Sequence, residues 1–70
     1  MRRGFNIRVP VWGLVLQFDP AFDITPAVNP TARDAGRTAY AIGASPAQCT
    51  IFVLDESGRS IGGLIDYTAE

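Results

Sequence analysis

Apolar and polar residues alternate from the fifth position. Phe5, Ile7, Val9 and Val11 take one parity, and Asn6, Arg8 and Pro10 the other. A period of two marks a half-buried strand. From Trp12 the parity reverses, so that Trp12, Leu14, Leu16 and Phe18 share a face. A slip of one residue beside Pro10 and Gly13 predicts a single strand with a bulge or sharp bend. The alternative is a hairpin of 5–9 against 14–18, turning through Pro10–Gly13.

Residues 19–36 read as a long connection, because Asp19-Pro20, Thr25-Pro26 and Asn29-Pro30 each set a turn or cap former before proline. Asn29 and Pro30 form a plausible N-cap and first helical position, with Gly36 as a stop, which predicts one short helix over 30–36. The stretch 37–42 fits helical spacing through Ala39 and Ile42 and strand spacing through Thr38, Tyr40 and Ile42. Strand is preferred, since Thr, Tyr and Ile favour it. Cys49–Leu54 has only Thr50 as a polar member and predicts a central strand buried on both faces. Asp55-Glu56-Ser57-Gly58 is a turn cluster, after which Ile61, Ile65 and Tyr67 resume in phase. A β-hairpin is expected there, with Gly62-Gly63 marking a bulge or a close backbone approach. The fold class that follows is mainly β: a small antiparallel curled sheet or barrel of four to five strands with one short helix. It forms one domain over 1–70, with a basic arm at 1–4 and a Pro-rich connection at 19–36.

Charge adds a second pattern. Val9–Phe18 and Thr38–Leu54 contain no charged residue at all. Charged side chains are almost never fully buried unless paired, so the two charge-free segments should supply the core, an interface, or both. Arg2, Arg3 and Arg8 precede any acid, whereas Arg33, Arg37 and Arg59 share the remainder with seven acids, for a net charge of −1. All the basic residues are arginine, which suits planar, bidentate and interface contacts.

Composition turns this into an expectation about partners. The 70 residues are 47% hydrophobic and 19% charged, against about 25% charged in ordinary domains. That excludes an intrinsically disordered chain. A chain this short buries only about 60% of its unfolded surface and usually needs a staple. One cysteine cannot form an internal disulfide, and without histidine a zinc site is nearly out of reach. Oligomerisation or a bound partner is the staple left. No membrane span is expected, because the longest apolar run, Val9–Leu16, is broken by Pro10 and Gly13 and falls short of the roughly 20 residues required. An export signal is not expected after Arg2-Arg3 either, since Arg8 and Pro10 interrupt the apolar region it would need.

The residues allow little chemistry. The absence of histidine removes the commonest general base and any Ser-His-Asp or Cys-His arrangement. Cys49 opens an apolar run with no base nearby and reads as an inert core residue. The string Gly58–Gly63 lacks the spacing and the lysine of a phosphate loop. Asp19 and Asp23 sit among turn residues, and Asp55-Glu56 forms a hairpin tip. No cofactor, metal or catalytic residue is therefore expected, and an enzymatic role only as part of an active site shared with another chain.

The expected function is a non-catalytic protein–protein interaction protein, either a self-assembling subunit or a small accessory or inhibitor protein docking on a larger partner. Candidate interface residues are Val11, Trp12, Leu14, Leu16, Phe18 and Tyr40. A fully buried Trp12 would make Trp12→Ala cost about 3–5 kcal/mol. The alternative is a small-barrel single-strand nucleic-acid binder using Arg2, Arg3 and Arg8, the weaker reading because the chain has no net basic excess. A free cysteine and the short chain fit a cytoplasmic or virion-associated accessory protein, of the kind phages and mobile elements encode.

Overall fold

The computed structural model describes residues 2–70. They form six strands: β1 (Arg2–Val9), β2 (Leu14–Gln17), β3 (Val28–Ala32), β4 (Thr38–Ile42), β5 (Gln48–Leu54) and β6 (Gly63–Ala69). Two three-stranded antiparallel sheets result, ordered β1-β6-β3 and β2-β5-β4. Their inward side chains meet in one core, with Val9, Ile65 and Ala69 from the first sheet and Cys49, Ile51 and Val53 from the second. The mainly β class holds. Of the two expected forms, curled sheet or barrel, no closed barrel is formed among the described residues. The expected short helix is absent among them too, and there are six strands rather than four or five.

The corrections have local causes. Residues 5–18 are neither one bent strand nor a hairpin. Pro10–Gly13 is a tight turn closed by the Gly13 N–H donating to the Pro10 carbonyl at 3.0 Å. It carries the chain from the first sheet to the second, so β1 pairs with β6 and β2 with β5. The parity slip read at Trp12 is this sheet change. A true bulge lies earlier, between Gly4 and Ile7, where Asn6 takes φ 53°. Asparagine tolerates that left-handed conformation better than most residues. The bulge turns Phe5 out to solvent and leaves Ile7 and Val9 inward. The expected basic arm at 1–4 is thus the start of β1 from Arg2 onward; Met1 lies outside the described residues.

The helix expected over 30–36 is replaced by β3. A helix there could bury little beyond Ala32 and Ala35, too small an apolar face to hold so short a segment. As a strand, the segment pairs with β6 and packs Val28 and Ala32 against the core. Pro30 is tolerated because β3 is an edge strand.

The turn Asp55–Gly58 forms as expected, with the Asp55 carboxylate accepting hydrogen bonds from Ser57 and Arg59. The hairpin beyond it is cut short. After the Leu54–Ser60 bridge and the bond from Ile61 N–H to the Val53 carbonyl, the chain leaves β5 and enters the other sheet as β6. Gly62 is the pivot: it takes φ +73°, and a Cβ there would lie 2.5 Å from the Val9 carbonyl oxygen. The hairpin that does form joins β4 to β5, where the Ser45 hydroxyl accepts from the Ala47 and Gln48 N–H groups.

β5 is central in its sheet, as expected, but buried on one face only. Cys49, Ile51 and Val53 point inward, while Thr50, Phe52 and Leu54 are half-buried on the outside.

Candidate interaction surfaces

Every strand of the second sheet comes from the two charge-free segments. Its inner face feeds the core. Its outer face carries Val15 and Gln17 of β2, Thr50, Phe52 and Leu54 of β5, and Thr38, Tyr40 and Ile42 of β4. Register sets these side by side. Val15 and Ile42 both oppose Thr50, and Tyr40 opposes Phe52, the two rings stacking at 5.6 Å. Val15 is 54% exposed and Ile42 48%, large values for β-branched aliphatics in strands.

The outer face of the first sheet is chemically the opposite. It presents Arg3, Arg8, Asn29, Thr31, Leu64 and Asp66. Asp66 is its hub. One carboxylate oxygen accepts the Asn6 N–H of the bulge at 3.1 Å, and both take hydrogen bonds from Arg33, at 3.0 and 2.9 Å. These bonds, the backbone one foremost, hold the Asp66 carboxyl below the usual carboxylate range despite some desolvation. Asp55 is lowered by its turn bonds, the largest from the Arg59 N–H.

The six expected interface residues divide. Tyr40 stands on the outer face. Val11 and Trp12 occupy the apex of the Pro10–Gly13 turn, where Trp12 is 82% exposed, so it is no core residue. Leu14 and Leu16 point inward and pack on the core. Phe18 is buried edge-to-face against Phe22. These three are corrected from interface to interior: Leu14 and Leu16 take the inner parity of β2, whose outward apolar residue is Val15, and Phe18 is buried just past the end of that strand.

The structure adds Val15, Ile42 and Phe52, which sequence reasoning missed. The signal existed in β4, where Ala39 and Ala41 alternate with Tyr40 and Ile42. The small pair packs inward, so the large pair faces out.

The three arginines of the alternative reading do not form one arm. Arg2 lies on the inner side of β1, with its guanidinium 4.4 Å from the centre of the Phe22 ring and bonded to the Pro20 carbonyl. Arg3 is engaged within the chain. Arg8 stands outward near the far end of β1, opposite Leu64. Cys49 is buried, and burial pushes its thiol pKa up. Among the described residues no three His, Cys, Asp or Glu side chains gather as metal ligands, and no helix is long and apolar enough to cross a membrane. No family model, curated protein or solved structure matches the chain.

Proposed function

We propose that this chain is a non-catalytic protein–protein interaction protein that self-assembles through the outer face of the β2-β5-β4 sheet. One observation carries the reading: the charge-free segments converge on one sheet and leave its outer face uncharged and rich in exposed apolar side chains, while the outer face of the opposite sheet bears Arg3, Arg8 and Asp66. A charged face needs its complement on the partner, whereas an uncharged one meets nothing repulsive on its own copy. Two such faces stack as the sheets of a sandwich do, side chains interdigitating. The small core supplies the motive, since a chain of this size gains most from burying further apolar surface. The same face could serve an accessory protein docking on a larger partner, and a free, buried Cys49 fits a cytoplasmic or virion-associated setting.

The test is the mass in solution by light scattering across a concentration series. A dimer or higher assembly is expected, reduced to monomer by Val15→Glu or Ile42→Glu and retained by Asn29→Glu on the other sheet. A monomer at every concentration overturns self-assembly. Equal disruption by all three substitutions overturns the choice of face.

A further inference from the structure

A second surface lies on the side of the charged sheet. The Pro10–Gly13 turn, the β3–β4 loop and the β5–β6 connection meet around an open cleft of about 530 Å³. Its walls carry Arg8, Val11, Trp12, Asp34, Arg37 and Leu64. We propose that this cleft binds a peptide segment of another protein that sets an acidic side chain next to an apolar one.

The charge in the cleft favours such a ligand. The Arg8 guanidinium makes no hydrogen bond or ion pair among the described residues. Arg37 is held in place, donating from one terminal nitrogen to Asp34 at 3.0 Å and to the Gly62 carbonyl at 3.3 Å. A side chain at position 63 would put its Cβ 2.8 Å from that nitrogen, so Gly63 makes the room Arg37 occupies. Its second terminal nitrogen and Nε remain free to grip a carboxylate in the bidentate manner arginine favours.

Trp12 supplies the apolar anchor. Its turn is pinned by the Ser60 hydroxyl, which donates to the Val11 carbonyl at 2.6 Å, so the indole stands on a braced support. Exposed tryptophan and arginine on a rigid frame are what binding hot spots are made of.

Two features select a peptide over other anions. Small-ligand sites enclose most of their ligand, and a cleft whose tryptophan is 82% exposed cannot do so. A chain lying along it can use the open wall. Asp34, in turn, has one carboxylate oxygen without a partner. That oxygen accepts hydrogen bonds, which the N–H groups of a peptide backbone supply and the phosphate of a phosphodiester, carrying no donor, does not.

The experiment begins with selection of a random short-peptide display library on the full chain, with the Trp12→Ala chain as counter-selection. Peptides pairing Asp or Glu with a neighbouring apolar residue should be enriched. A synthetic copy of an enriched peptide should shift the emission of Trp12, the only tryptophan in the chain. Arg8→Glu should weaken that binding about tenfold or more, and Arg8→Gln less, with the circular dichroism spectrum unchanged in both. Enrichment no greater than on the Trp12→Ala chain, enrichment of basic peptides, or displacement by a single-stranded oligothymidylate would each overturn the proposal.

Discussion

Asp66 ties three segments of the charged sheet together through one carboxylate, and that makes it a source of acid sensitivity. Its folded pKa lies below the ordinary 3.8. The stability it contributes is therefore present above that value and lost as pH falls through the depressed folded one. Asp66→Asn, which cannot bind Arg33 ionically, should lower the melting temperature at neutral pH and flatten its fall between about pH 5 and pH 2. Calorimetry across that range checks it, and an unchanged slope would remove Asp66 as the cause. Trp12 behaves oppositely. At 82% exposed it carries almost no burial, so Trp12→Ala should leave folding stability within about 0.5 kcal/mol of the parent. Denaturant unfolding at concentrations where the chain is monomeric measures this directly. Sequence pattern alone could not distinguish the two outcomes for Trp12, since an aromatic beside a turn reads the same whether the turn tips inward or outward.

The elements are organised by where the chain changes sheets. Gly13 and Gly62 stand at two of those crossings, both at positive φ. At Gly62 a Cβ meets backbone that cannot move aside, the Val9 carbonyl oxygen. Gly62→Ala should cost about 1–2 kcal/mol from conformation alone and more from the clash, read as a lower denaturation midpoint. Alanine at Gly58, whose Cβ would meet nothing within 4 Å, should cost only the conformational part. Turn chemistry was legible in both regions: Pro10–Gly13, Asp55–Gly58 and Gly62-Gly63 all stand out in the sequence. Their consequence was not. A tight turn between two strands looks like a hairpin until the partner of each strand is known, and here β5 and β6 take different central positions. The missing helix has the same origin. Local cap and stop signals at Asn29, Pro30 and Gly36 were outweighed by β6, whose open edge gave the segment a ladder to join.

At the scale of the whole molecule, one sheet faces out with charge and the other without. Assembly through the uncharged face should be driven by apolar burial and so change little between low and high salt, where Debye screening would weaken a charged interface. Sedimentation velocity at about 0.05 M and 0.5 M salt separates the two cases, and dissociation at high salt would move the interface to the charged sheet. The sequence by itself determined that the chain is β-rich, that Cys49–Leu54 holds a strand, and that Val9–Phe18 and Thr38–Leu54 would lie at a core or an interface; for 37–42 it favoured a strand over a helix without deciding between them. Those follow from local period and from the cost of burying charge, which neighbours in sequence reveal. Only the tertiary structure decided that both segments build one sheet, that Leu14, Leu16 and Phe18 go inside, and that Val15, Ile42 and Phe52 stay out. Strand parity says which residues share a face. Which face meets the core depends on pairing between residues far apart in the chain, such as Leu14 with Ile51 and Tyr40 with Phe52, and no local pattern encodes that choice.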